Sequence, residues 1–225
     1  MGMRGRILAI GDIHGCSVSL ALLLKTVRIQ SADIVVVLGD LIDRGPDSCG
    51  VIEQLLELSH TVRVIGIFGN HEEMLLQSVE RGTPRLLWLG SGARATLDSY
   101  GGHLTGVPDS HLAFLRSFVD YWETETHIFV HGNAAADEPV DGQSSSYLRW
   151  AEFNGSERPH CSGKTIVCGH TGQERGLPAH VPGYVCIDTQ ACCGQWLTCL
   201  DVDHSVFWQA SESGEIRGPL SLDAC

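Results

Sequence analysis

Five short polar runs, each following an apolar stretch, hold the residues that could do chemistry. They contain Asp12 and His14 (in Gly11-Asp-Ile-His-Gly15), Asp40, Asp43 and Arg44 (in Gly39-Asp-Leu-Ile-Asp-Arg-Gly45), Asn70 and His71 (in Gly69-Asn-His-Glu72), His131, and His170. A lone histidine is more often a hydrogen-bonded core or surface residue than a ligand. Five loops of the same kind, all rich in Asp, Asn and His, form a metal-site pattern. Carboxylate, amide and imidazole donors without thiolate suit Mn, Fe or Zn in a hydrolytic centre rather than a structural cysteine site. The spacing Asp12-x-His14 lets both side chains face one ion.

These runs need strands to place them. Arg6–Ile10, Asp33–Leu38, Thr61–Phe68, His127–His131 and Thr165–Cys168 are apolar and rich in β-branched residues, so they read as buried strands. Between them, Ser17 is expected to cap a helix through about Val27, Asp47 a second helix, and a third runs from Glu72 to about Arg81. The order βαβαβα predicts a parallel sheet with right-handed crossovers, and ligands in such sheets bind at the carboxyl ends of strands. Residues 84–119 read as a helical insertion, and 133–146 as a polar loop over the site. Tyr184–Asp188, Trp196–Val202 and Ser205–Gln209 read as a closing antiparallel hairpin system.

The chain has 225 residues and a net charge of −12. One domain over 1–225, with a substantial core, is the expectation. The charge argues against nucleic-acid and membrane partners, and an anionic substrate needs local positive charge from Arg or metal. Met1–Arg6 runs directly into a strand without a signal peptide, myristoylation signal or spanning segment, so a cytoplasmic monomer is expected. The nine cysteines are then reduced thiols. Cys192-Cys193 could hold a metal or oxidise, but small buried apolar residues are the favoured reading.

The ordered set Gly-Asp-Ile-His-Gly, Gly-Asp-Leu-Ile-Asp-Arg-Gly and Gly-Asn-His-Glu, followed by Val130-His-Gly and Gly169-His-Thr, resembles the metallophosphoesterases. More narrowly it is similar to the Ser/Thr phosphoprotein phosphatase family. Gly69-Asn-His-Glu-Glu-Met, Trp88-Leu-Gly-Ser-Gly and Cys186-Ile-Asp-Thr look like its small bacterial and phage-lambda-like branch. The resemblance implies an α/β calcineurin-like sandwich (αββα): mixed central sheets flanked by helices, with a dimetal site at strand ends. It implies that Asp12, His14 and Asp40 hold one divalent ion, Mn before Fe or Zn. Asp40 bridges to a second held by Asn70, His131 and His170, and water activated between the ions attacks phosphorus. Arg44 grips phosphate oxygens, with Asn70 beside it, His71 is the general acid, and Asp43 orients it. A second phosphate-binding arginine is expected between His131 and His170, with Arg149 before Arg158.

The implied function is phosphomonoester hydrolysis, on phosphoserine, phosphothreonine or phosphotyrosine in proteins. A diadenosine polyphosphate hydrolase shares the metal motifs, but those enzymes resemble Gly-Asp-x-x-Ala-Arg-Gly where this chain has Asp43. A non-catalytic binding module of the same fold requires lost ligands, and none is missing. His60, His103, His111, His127, His160, His180 and His204 read as surface or capping residues, and Glu72 and Glu73 as acids favoured at a helix start.

Overall fold

The computed structural model describes residues 5–224; the expectations for Met1–Arg4 and for Cys225 fall outside them. The first half alternates strand and helix: β1 (Ile7–Ile10), α1 (Ser17–Val27), β2 (Ile34–Val37), α2 (Ser48–Ser59), β3 (Arg63–Gly66) and α3 (Asn70–Arg81). Three shorter helices follow, α4 (Leu86–Gly90), α5 (Ala93–Ser99) and α6 (Asp109–Arg116). Then come β4 (Tyr121–Glu123), β5 (His127–Val130), α7 (Ser145–Trp150), β6 (Thr165–Cys168), β7 (Ala179–Val181) and β8 (Tyr184–Cys186). The chain closes with β9 (Leu197–Asp201), β10 (Val206–Ala210) and β11 (Ile216–Ser221).

The strands form two mixed sheets, ordered β11-β10-β9-β1-β2-β3 and β4-β5-β6-β8-β7. β1, β2 and β3 are mutually parallel, as expected. β9 and β10 form the expected antiparallel hairpin. β8 does not join it: it pairs parallel with β6 and antiparallel with β7, in the second sheet. A short apolar run carries no mark of the sheet it will enter, so its sequence neighbours misled.

Period-two alternation divides each strand between two layers. Leu8, Ile10, Val35 and Val37 face the helices, packing with Leu20, Leu23, Val51, Ile52 and Leu55. Ala9, Val36, Phe129, Val167 and Leu200 face inward and form the layer between the sheets. Ile128, Val130, Ile166 and Cys168 face the far side. β1, β2, β5 and β6 are apolar on both faces because both are covered. Val140 and Leu148 pack onto that far side, so part of the 133–146 segment, expected over the site, instead covers the second sheet.

The helices begin and end for local reasons. In α1, Leu20, Leu23 and Val27 share the buried face, each burial stabilising by about 1.5–3 kcal/mol. Cys16, not Ser17, is its N-cap residue, and no side chain caps it. Asp47 caps α2 as expected, accepting the Gly50 N–H at 2.8 Å. α3 begins two residues before the expected Glu72, which brings Asn70 and His71 into its first turn. Among the described residues no helix is long and apolar enough to cross a membrane. The eight described cysteines are free, with Cys16, Cys168, Cys186 and Cys199 buried. His111 and His160 are buried rather than superficial, bonded to Tyr100 Oη and to Ser162 and the Glu138 carbonyl.

Asp33 ties the starts of β1 and β2 together. Its carboxylate accepts the Arg6 and Gln30 backbone N–H groups at 2.9 Å each and Arg6 Nη2 at 2.6 Å. Burial opposes its charge, but the Arg6 side chain and these N–H groups outweigh burial and hold it below the ordinary carboxylate value. Asp33→Asn should therefore lower unfolding stability at neutral pH by about 1–3 kcal/mol. A depressed folded pKa contributes stability above the unfolded value, about 3.9, and loses it as pH falls through the folded value. The wild-type advantage in urea midpoint should fade over that acid range; an advantage independent of pH would show that charge is not its source.

Candidate metal centre and catalytic site

The five polar loops leave β1, β2, β3, β5 and β6 at one rim of the sandwich, and main-chain hydrogen bonds stitch them together. The Ile13 and His14 N–H groups donate to the Asp40 carbonyl, and Gly15 N–H to Leu41. Gly169 N–H donates to the His131 carbonyl. The His170 N–H donates to both Asp12 carboxylate oxygens at 3.0 Å, joining the two sheets. Of the eight described non-glycine residues with positive φ, five are His14, Asp40, Asp43, Arg44 and His170. Backbone strain is thus concentrated in the loops that carry the donors. Gly45 is needed because a Cβ there would lie 1.9 Å from the His14 carbonyl oxygen.

Asp40 is the centre of the cluster. His131 Nε2 lies 3.3 Å from Oδ1, and His14 and His71 Nε2 lie 3.5 and 3.7 Å from Oδ2. Two donor groups result, His14–Asp40–His71 and Asp40–His131–His170, each with ligand atoms within 4.8 Å of one another. Asp40 belongs to both, the position a bridging carboxylate requires. The Nδ1 atoms of His14 and His131 meet the carbonyls of Ile42 (2.8 Å) and Leu38 (2.7 Å). A carbonyl only accepts, so Nδ1 carries the hydrogen and each Nε2 lone pair faces the cluster.

The residues fit divalent cations. Asn70 Oδ1 faces only acceptors; with the amide reversed, its nitrogen would donate to Asp40 at 3.2 Å, to His131 Nε2 at 3.0 Å and to His170 Nδ1 at 3.3 Å. Lone pairs converging in this way are what a cation satisfies. Burial pushes His14 down to about 3 and His170 to about 4, which keeps both neutral and ligating. Burial also opposes ionisation of Asp40, but His131 and His71 outweigh it and hold its carboxyl well below the usual range. Burial, then the Asp188 and Asp40 carboxylates, push Asp12 up, a convergence of acids that calls for positive charge between them.

His71 and Asp43 form a buried pair. His71 Nδ1 donates to Asp43 Oδ2 at 2.6 Å. Asp43 also accepts Trp88 Nε1–H at 2.7 Å and the Thr96 hydroxyl at 2.5 Å. Burial lowers the affinity of His71 for its proton, but Asp40 and Asp43 reverse the effect, and the net shift is upward. Arg44 reaches over both groups, with Nη1 2.9 Å from His14 Nε2 and Nη2 3.1 Å from His71 Nε2.

The structure thus gathers Asp12, His14, Asp40, Asp43, Arg44, Asn70, His71, His131 and His170 at one rim. Arg149 stands apart. Asp120 and Glu73 pair with it at 2.6 and 3.3 Å, and its guanidinium lies over Phe68, 4.3 Å from the ring centroid. Two carboxylates thus pair with Arg149, the arginine expected to bind phosphate. The alternative, Arg158, pairs with Asp137 at the surface.

Two acids have roles at the rim that the sequence reading did not give them. Glu72 is fully buried and accepts the Asp40 and Leu41 N–H groups at 2.8 Å each, so it sets the loop rather than serving a helix dipole. Asp188, buried beside Asp12, follows β8 in the strand-then-acid pattern that marked the other loops.

Because the apolar layers hold the sheets without any ion, chelation should abolish hydrolysis while far-ultraviolet circular dichroism stays native. A cooperative loss of ellipticity on chelation would show that metal carries the fold, as in zinc fingers.

The calcineurin-like phosphoesterase family model matches residues 5–174. Serine/threonine-protein phosphatase 1 of Salmonella typhimurium is 42% identical over 84 residues, 37% of this chain and 37% of its own. A symmetrical bis(5'-nucleosyl)-tetraphosphatase of Ralstonia nicotianae is 37% identical over 101 residues, 45% of this chain and 31% of its own. The chain therefore spans about a third of the length of these curated relatives. A crystal structure of a cold-active protein-tyrosine phosphatase from a Shewanella species superposes with TM-score 0.64 at 18% identity, over 97% of this chain and 81% of that one. That likeness carries the fold. Matched over three quarters of its length and bearing the clustered donors, the chain belongs to the calcineurin-like phosphoesterase family.

Proposed function

We propose that the protein is a dimetal phosphomonoesterase acting on phosphoserine, phosphothreonine or phosphotyrosine in proteins, as a cytoplasmic monomer. The observation that carries this reading is the buried Asp43–His71 hydrogen bond at 2.6 Å. An alkoxide leaving from a phosphorylated side chain is strongly basic and needs a proton in the transition state. A nucleoside polyphosphate is a far weaker base and leaves without one.

Asp12, His14, Asp40, Asn70, His131 and His170 would hold the two divalent ions, with Mn favoured over Fe or Zn. Bound there, the metals supply Lewis acidity toward phosphoryl oxygens and water. This chain's other residues do the rest. Arg44, whose guanidinium lies beside His14 and His71, would grip phosphate oxygens through its fork. His71 delivers its Nε2 proton to the leaving oxygen, and Asp43 holds the imidazolium through Nδ1. Trp88 and Thr96 fix Asp43, so the acid is oriented before substrate arrives.

The second reading is hydrolysis of diadenosine polyphosphates, supported by the tetraphosphatase names of several relatives. Comparing kcat/KM for a phosphoserine peptide, a phosphotyrosine peptide and diadenosine tetraphosphate separates the two. One of the phosphopeptides should lead by at least tenfold; a lead for the dinucleotide would overturn the proposal.

A further inference from the structure

Cys192 and Cys193 take no part in the hard-donor centre. They sit in a 3₁₀ turn, Ala191–Cys193, between two left-handed residues, Gln190 (φ 59°) and Gly194 (φ 79°). Cys193 is exposed and Cys192 half-buried against the core beneath the helices, so Cys193 is not the small buried residue its composition suggested. The turn is braced: Cys193 N–H donates to the Gln190 carbonyl at 2.9 Å, and Gln190 N–H to Asp188 Oδ1 at 3.0 Å.

The two Sγ atoms are 3.8 Å apart. A disulfide requires about 2.05 Å. Two thiolates on one tetrahedral ion, each bonded at about 2.3 Å, stand roughly 3.8 Å apart. The turn therefore presents its sulfurs at a chelating rather than a bonding distance. Burial and the adjacent Cys193 thiol push the Cys192 thiol up to about 12. Only a thiophilic ion displaces such a proton, which excludes Mg and Ca and favours the soft end of the metal series.

We propose that Cys192 and Cys193 form a bidentate thiolate site for a soft d¹⁰ cation of the zinc and cadmium class, separate from the centre around Asp40. Both S–H protons pass to solvent as two S–metal bonds form, and no electron is transferred. Water completes the shell on the exposed side of Cys193.

The test titrates manganese-loaded protein with Cd²⁺ in thiol-free buffer without oxygen, following thiolate-to-cadmium charge-transfer absorption. One equivalent should saturate the band. Cys192→Ser and Cys193→Ser should each weaken binding at least tenfold with manganese content and circular dichroism unchanged, while Cys161→Ser keeps it. A full band in the Cys192→Ser/Cys193→Ser protein, or none in the wild type, overturns the proposal. So does a disulfide between the pair in the isolated protein. If a serine variant does not fold, alkylation of wild-type Cys193 decides instead: Cd²⁺ should slow it at least tenfold, and unchanged alkylation refutes the site.

Discussion

Asp40→Asn is expected to abolish phosphoester hydrolysis and to lower bound metal. Asp40 is shared by both donor groups and stands within 3.3–3.7 Å of His14, His71 and His131. The substitution keeps shape and removes one negative charge from the carboxylate shared by both donor groups. Metal ions stabilise phosphoryl transition-state charge by several kcal/mol; losing about 4 kcal/mol of that is on the order of 10³ in rate. The fold should survive, because Asn tolerates the left-handed φ of 50° that Asp40 adopts. Elemental analysis beside kcat/KM is the check. Full two-metal occupancy with normal turnover would exclude Asp40 as the bridge.

His71→Asn is expected to be selective for the leaving group. General acid catalysis supplies about 10²–10⁴-fold, and that loss should fall on phosphoserine peptides. Nitrophenyl phosphate, whose leaving group needs no proton, should lose far less. Asp43→Asn should show the same selectivity in weaker form, since the imidazole remains but its cationic form loses its partner. Single-turnover kinetics ensure that chemistry is being compared. The 3.7 Å between His71 Nε2 and Asp40 Oδ2 makes metal content a necessary companion measurement. Equal losses on both substrates with falling metal would make His71 a ligand; equal losses with unchanged metal would move it to phosphate or water.

The strands and loops were legible because their cues are local: apolar runs such as Ile34–Val37 end in glycine-bounded polar clusters. The family pattern extended them to the order of the loops. What stayed hidden was set by distant partners. Asp43 and His71 could be paired by the family pattern, but nothing near Asp43 announces Trp88 or Thr96, which lie 45 and 53 residues on. Glu72 looked like a helix-start acid because its real partners, the Asp40 and Leu41 N–H groups, belong to another loop. Arg149 beside Trp150 matched a shifted motif, which did not announce its ion pairs with Asp120 and Glu73. β8 changed sheets because hydrophobicity specifies burial and not neighbours.

Three of the donor loops leave the first sheet and two leave the second, while Ala9, Val36, Phe129, Val167 and Leu200 fill the layer between. The span across the centre is therefore gauged by the thickness of that oily layer, since facing sheets sit about 10 Å apart at a distance their side chains decide. A methylene gained or lost beneath the rim respaces donors it never touches. Evolution on such a scaffold faces a hidden constraint: drift in the interior is filtered for reaction geometry as well as for stability, and residues blind to substrate are selected by it.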